Sequence, residues 1–312
     1  MSSLLSMKGS WRSVWKMTTS SHRSVVLKML HLHRQFDRES FEAHATDIMV
    51  MDRLTASPHV VNAYGFCGQT VVTEFAELSG RDFVKRYDIG SQERLRVARD
   101  LARGLADIQA LQPLPHDTYI STNIPIVFAH NDITIANTIM IDGRIKWNDF
   151  NIGVFMREKK QRWVDSLDIG NLCPAPVKYR SDLWRSPEEI KNTSYVQLTQ
   201  SDVYGLGNIL YQTMTRHQPW SFKEPGGVLT VTDVAERKMN GTVPTIPEQY
   251  LNTTKRSLQT MFAATNICYY STPNRRPTAR RLAYGLGSLY NKIKYKERVT
   301  RPIILDYLVQ PR

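Results

Sequence analysis

The stretch Ala129-His130-Asn131-Asp132-Ile133-Thr134-Ile135-Ala136-Asn137 reads H-x-D-x-x-x-x-N, and Asp149, in Asn148-Asp149-Phe150-Asn151, follows Asn137 by twelve residues. An isolated H-x-D triplet is more often a turn or a helix cap. Its pairing with a downstream N-D-F at this spacing is far more specific. Residues 126–128, 138–141 and 145–147 are short β-prone runs around it, the last two joined by Asp142-Gly143, a dipeptide that favours a tight hairpin turn. No other part of the chain concentrates as much polar chemistry.

Working outward, residues 13–17 and 24–30 are β-rich and separated by a polar turn, which predicts a hairpin. Asp37 is placed to cap a helix running to about Leu54, with Phe41, Ile48 and Met51 at helical spacing. After Ser57-Pro58, residues 60–64 and 70–75 read as two more strands joined through Gly65 and Gly68. Four strands and one helix thus make a small first lobe over residues 1–76. From Ser91 the pattern turns helical: Leu95, Ala98, Leu101, Ala102, Leu105 and Ile108 line one face up to a break at Pro113. A polar loop to about Pro125 and an irregular stretch over 151–185 interrupt the second lobe. Helical patterns return at 199–215, at 232–239 and from 254 to the end. The expected fold class is α+β: a small β-rich lobe and a larger, mostly helical lobe over 77–312, forming one domain.

With 312 residues the chain can bury a sizeable core, which excludes a small disulfide-stapled module. Cys67, Cys173 and Cys268 are scattered, so neither a zinc site nor a disulfide framework is indicated, and a reducing cytosol or nucleus is the expected compartment. The sequons at Asn192 and Asn252 would matter only in a secreted protein, and there is neither a signal-like apolar run nor a stretch of membrane-spanning length. Lys and Arg exceed Asp and Glu by 41 to 29, a net +12 that attracts nucleic acid or anionic membranes in general. No aromatic-interleaved basic motif accompanies it, so a solvated basic face is the reading adopted and no specific nucleic-acid partner is expected.

The two motifs together resemble the catalytic loop and the metal-binding loop of protein kinases. The resemblance implies Asp132 as catalytic base and Asn137 and Asp149 as Mg²⁺ ligands, with ATP as co-substrate. Val25-Val26-Leu27-Lys28 is similar to the family's V-A-I-K strand, which would place Lys28 on the α- and β-phosphates. The corresponding acid on the following helix would be Asp47, where the family usually has Glu. Downstream, Trp184-Arg185-Ser186-Pro187-Glu188-Glu189 resembles the A-P-E element, Ser201-Asp202-Val203-Tyr204-Gly205-Leu206-Gly207 resembles the family's central helix, and Arg276-Pro277-Thr278 matches its R-P-T. By this analogy Glu188 pairs with Arg276, and Asp202 accepts hydrogen bonds from the catalytic-loop backbone. Adenine would lie between Val14 and Val26 above and Ile139 below, against the backbone of Glu74–Ala76, with Thr73 as gatekeeper. The implied fold is bilobal and protein-kinase-like. The D-I-T and N-D-F-N wording is also similar to divergent kinase-like proteins of photosynthetic protists.

Small-molecule kinases of the aminoglycoside and choline types share the lobes and the H-x-D motif but lack the later series of elements. The implied reaction is therefore transfer of phosphate from Mg-ATP to a protein hydroxyl, Ser/Thr by default; a pseudokinase scaffold is the alternative. Several positions depart from the pattern. In the Gly-rich loop the three glycine positions hold Met7, Gly9 and Arg12, and Arg12 is expected to offset the losses by its charge. The loop begins so near Met1 that few residues remain for a first strand. Thr134 stands where a lysine usually neutralises the transferring phosphate. Asn131 replaces an arginine that grips phosphorylated activation loops. Asn151 replaces the glycine of D-F-G and is expected to take up its left-handed backbone.

Overall fold

Helix α3 (Ser91–Gln109) buries the stripe its periodicity announces: Leu95, Ala98, Leu101, Ala102, Leu105 and Ile108 are each at most 1% exposed. Each such Leu or Ile contributes on the order of 1.5–3 kcal/mol. In this computed structural model, which describes residues 2–6, 11–111, 126–157, 183–191, 198–221 and 229–295, α3 packs against α9 (Ala279–Lys294), α5 (Leu198–Thr215) and α8 (Arg256–Cys268). Every residue of α5 is buried. A Cβ on its Gly205 would come within 2.8 Å of Ile133, so glycine is what lets α5 approach the loop that carries the H-x-D motif. Shorter helices α4 (Pro187–Lys191), α6 (Val231–Met239) and α7 (Glu248–Leu251) complete the described helical lobe.

The small lobe is a five-stranded antiparallel sheet in the order β1-β2-β3-β5-β4, comprising β1 (Ser2–Ser6), β2 (Arg12–Thr18), β3 (Ser24–Leu30), β4 (Ala63–Cys67) and β5 (Thr70–Glu74). The architecture is thus the expected bilobal α+β fold, with one strand more than the four anticipated. Strand β1 escaped notice because Ser-Ser-Leu-Leu-Ser has no alternating pattern of its own; it exists through pairing with Met17, Lys16 and Trp15. The strand expected over 60–64 is displaced to Ala63–Cys67. Val60 and Val61 instead leave the sheet to bond the backbone of Trp147, a contact that ties the lobes together: Val61 N–H donates to Trp147 C=O at 3.0 Å and Trp147 N–H to His59 C=O at 2.8 Å.

Helix α1 (Arg38–Arg53) starts where Asp37 accepts from the Ser40 N–H at 2.7 Å. Its buried face carries His44, Asp47, Ile48, Val50 and Met51. Phe41, expected on that face, is 45% exposed and lies instead beside Phe36, because the buried stripe runs through Ser40 and His44, about 60–100° round the helix from it. Two small sheets carry the site loops: β6 (Leu78–Ser79), β8 (Thr138–Ile141) and β9 (Arg144–Trp147) form one, and β7 (Ile126–Ala129) with β10 (Val154–Arg157) the other. Between β8 and β9, Asp142 and Gly143 both have positive φ, at 48° and 73°, as a tight two-residue hairpin requires. The short helix α2 (Gly80–Lys85) packs on β8.

His44 gives this lobe a pH dependence. Its ring is buried, Nδ1 meets the Gln69 amide oxygen at 2.6 Å, and burial followed by the charge of Arg12 pushes its pKa from 6.5 down to about 4. The folded value lies below the unfolded one, so stability is full above about pH 6.5 and declines as pH falls toward 4. Melting curves from pH 7.5 down to 4.5 should therefore show a steeper acid decline for the wild type than for His44→Gln. Parallel declines would remove His44 as the cause.

Candidate active site

The loop that carries the H-x-D motif is held from beneath by Asp202. Its carboxylate accepts the His130 N–H at 2.8 Å and the Asn131 N–H at 2.9 Å. Burial pushes the Asp202 carboxyl up to about 7, against the opposing pull of these two donors. Asn131 sits at φ 62°, a conformation that Asn tolerates well, and its side chain donates to Ile152 C=O at 3.1 Å. Arg185 donates to the Asn131 carbonyl at 2.7 Å and to its Oδ1 at 3.0 Å while pairing with Glu189 at 2.9 Å. The loop is thereby fastened to α4. His130 is fully buried among Trp147 and Phe150, and burial lowers its pKa.

Beyond this clamp the chain makes one 3-10 turn, Ile135–Asn137, which turns Asn137 back onto Asp132. Asn137 Nδ2 donates to Asp132 Oδ2 at 2.7 Å and to the Asp132 carbonyl at 2.9 Å. With its amide nitrogen so engaged, Asn137 keeps Oδ1 available. Asp149 lies at φ 64° in the Asn148–Asn151 turn; the left-handed residue is therefore Asp149 and not Asn151, as the glycine position had suggested. Among the described residues none donates a hydrogen bond to the Asp149 carboxylate. Burial, then the charge of Asp47, raises its pKa, so a cation beside it would be strongly favoured. A free amide oxygen and an unpaired, destabilised carboxylate suit a magnesium ion that takes its remaining ligands from phosphates and water. Among the described residues no cluster of three His, Cys, Asp or Glu forms a metal cage.

The upper side of the cleft differs from the expectation. Lys28 is 7% exposed, and its Nζ donates to Asn148 Oδ1 at 2.8 Å rather than to Asp47. Burial lowers its pKa, which the charge of Asp47 partly counters. Asp47 is fully buried, forms its ion pair with Arg12, and accepts the Phe150 N–H at 2.8 Å. Burial disfavours its charge, but Arg12, Lys28 and the Phe150 N–H outweigh that and hold its carboxyl at about 2. Arg12 is accordingly drawn inward to helix α1, which corrects both the expected Lys28–Asp47 pair and the expectation that the Arg12 charge offsets the lost glycines of the loop. The physical reason is register. Val14 faces Lys28 across β2 and β3, so Arg12, two residues along β2, projects from the same face as a diagonal neighbour of Lys28. Gly9 lies outside the described residues, as do the rest of 7–10 and residues 158–182 of the stretch expected to be irregular over 151–185.

Of the residues assigned to adenine, Val14 and Ile139 are partly buried, Val26 is 8% and Thr73 1% exposed, and Ala76 is partly buried. Glu74 carries a function that sequence reasoning missed: its carboxylate accepts Lys146 Nζ at 2.8 Å and the Asn62 N–H at 2.8 Å, bracing β5 against β9. Alternation along Arg144–Trp147 offered the only signal for Lys146. Asn148 was overlooked too, although it stands beside Asp149 in the motif itself. Lower down, Glu188 and Arg276 form a two-pronged ion pair at 2.6 and 2.7 Å. A cavity of about 440 Å³ opens next to Asp132 and Asp149, with Trp11, Thr134, Asn151 and Arg185 among its lining.

Residues 8–284 match the family model for the protein kinase domain. Among curated proteins the chain is similar to the dual specificity protein kinase shkD of Dictyostelium discoideum, with 22% identity over 253 residues, covering 78% of this chain and 28% of that protein. It is also similar to the probable serine/threonine-protein kinase roco6 of the same organism, 25% identical over 272 residues, covering 83% of this chain and 11% of that one. The probable serine/threonine-protein kinase SIS8 of Arabidopsis thaliana is 22% identical over 228 residues, covering 70% of this chain and 19% of that one. The chain thus spans between 11% and 28% of the length of these three relatives. Since the family model covers nearly all of a chain whose antiparallel sheet and helical lobe meet around this loop, the chain belongs to the protein kinase family.

Proposed function

We propose that the chain is an ATP-dependent protein kinase that transfers the γ-phosphate of Mg-ATP to a protein hydroxyl, of serine or threonine in the first instance. The observation that carries this reading is the Asp132 carboxylate held by Asn137 Nδ2 at 2.7 Å, next to a separate turn, Asn148–Asn151, whose Asp149 carboxylate accepts no hydrogen bond among the described residues. Asp132 is poised to accept the proton of an acceptor hydroxyl and to aim its oxygen, a role that demands a fixed carboxylate. Asn137 Oδ1 and Asp149 would hold magnesium, which supplies charge to neutralise the phosphates. Lys28 reaches down from β3 to Asn148, beside Asp149, and would bind the phosphate chain. Val14, Val26 and Ile139 would enclose adenine, with the Glu74–Ala76 backbone as its hydrogen-bonding edge and Thr73 behind it. The serine and dual-specificity names of the relatives are compatible with this acceptor class.

A nucleotide-binding scaffold with poor transfer is the second reading. It is favoured by Lys28 bonding Asn148, and by Thr134 where a phosphate-neutralising cation would otherwise stand. The metal site discriminates kinase-like nucleotide handling from none. At ATP near a hundred times its dissociation constant, binding adds about 2.7 kcal/mol, or roughly 4 °C in melting temperature for a domain of this size. The expected result is a shift of that order with Mg²⁺ present, a much smaller one without it, and loss of the metal-dependent part in Asp149→Ala. Equal shifts with and without Mg²⁺ would contradict the assignment of Asp149.

A further inference from the structure

We propose that Arg12 is a positioning residue of the cleft: through Asp47 it fixes the Phe150 N–H, and with it the left-handed turn that presents Asp149. This deepens the kinase reading and rests on it for its catalytic meaning. Three elements meet at the Asp47 carboxylate. One oxygen takes the guanidinium of Arg12 at the start of β2, and the other takes the Phe150 N–H at 2.8 Å, immediately after Asp149. Asp47 itself rides on α1. Removal of Arg12 would leave a fully buried carboxylate whose nearest other cation, Lys28, is committed to Asn148.

Two cations on one face of the sheet thus compete for a single buried acid. Guanidinium is the better candidate, because it is always charged and gives up its water more readily than a compact ammonium. Burial accordingly lowers the Lys28 pKa, while Asp47 stays ionised beside Arg12. The division of labour follows. Arg12 anchors the helix and the N-D-F turn, and Lys28 is left at 2.8 Å from Asn148, beside the metal-binding acid instead of across the cleft from it. Arg12 Nη1 is buried with no partner among the described residues.

The test is a pair of double-mutant cycles on the metal-free, nucleotide-free protein, combined with ADP binding measured with and without Mg²⁺. Arg12→Met and Asp47→Asn should be non-additive in the unfolding equilibrium by roughly ten-fold or more. Lys28→Met and Asp47→Asn should couple more weakly than Arg12→Met and Asp47→Asn, because Lys28 acts on Asp47 by charge without a direct bond. Arg12→Met should also cut the Mg²⁺-dependent part of ADP affinity by roughly 10–100-fold, as displacement of a supporting group does at a metal site, with partial recovery in Arg12→Lys. The unfolding cycles require no catalysis, so they succeed or fail apart from the transfer reaction. Coupling of Asp47 to Lys28 instead of Arg12 would overturn the proposal. An Arg12→Met protein that is destabilised but keeps the full Mg²⁺ increment would overturn it as well.

Discussion

Arg276→Ala is expected to lower the stability of the chain by about 3–5 kcal/mol, the cost of leaving a buried partner charge uncompensated. Arg276 is fully buried and donates to both oxygens of Glu188 at 2.6 and 2.7 Å, to the Tyr270 carbonyl at 2.8 Å and to the Gln200 carbonyl at 2.9 Å. Burial works against the charge of Glu188, and the Arg276 bonds outweigh it and keep its pKa low. With the guanidinium gone, the Glu188 carboxylate keeps the Ser201 hydroxyl at 2.9 Å but loses both guanidinium donors, and the Tyr270 and Gln200 carbonyls lose the Arg276 bonds together. Urea unfolding followed by fluorescence measures the loss, which would remove a large share of a typical domain stability of about 5–15 kcal/mol. Arg276→Lys should fall between, since an ammonium cannot reproduce the two-pronged fork. Arg38→Ala, whose pair with Glu42 is exposed on both sides, serves as control and should leave the midpoint in place. An Arg276→Ala protein as stable as that control would contradict the bracing role of the pair.

What the sequence made legible was whatever is written in local periodicity or in dense motifs. Helix α3 was readable because its apolar residues recur at helical spacing, and α1 because Asp37 announces its start. The Asp142-Gly143 hairpin was readable from two residues whose backbone preference leaves few alternatives. Strands β1, β6 and β10 were not, being short segments that exist only through their partners. The candidate site divides in the same way. Asp132, Asn137 and Asp149 lie close in sequence and close in space. The Arg12–Asp47 pair joins residues 35 apart, and finding it requires the register of β2 on β3 and the rotation of α1 together. The other acids on α1, Glu39, Glu42 and Asp52, are exposed, Glu42 pairing with Arg38, which leaves Asp47 as the acid on the buried face.

The second large effect is expected at Asp132. Asp132→Asn keeps the volume of the side chain but replaces an accepting carboxylate oxygen with an amide that faces the Asn137 Nδ2 donor or turns away from it. The acceptor hydroxyl then has no base aligned with it, and loss of positioned proton acceptance lowers transfer by roughly 10²–10⁴-fold. Lys28, Asn148 and Asp149 are untouched by the change, so Mg²⁺-dependent nucleotide binding should persist in this variant. That separation distinguishes a chemical role for Asp132 from a structural one.

Transfer of labelled γ-phosphate from Mg-ATP to generic protein substrates, measured for the wild type and Asp132→Asn side by side, tests the central claim most directly. The account predicts labelled serine or threonine with the wild type and a fall of roughly 10²–10⁴-fold with the variant. Wild-type labelling no higher than that of Asp132→Asn, in protein that still binds Mg-ATP, would contradict it and make the chain a nucleotide-binding scaffold.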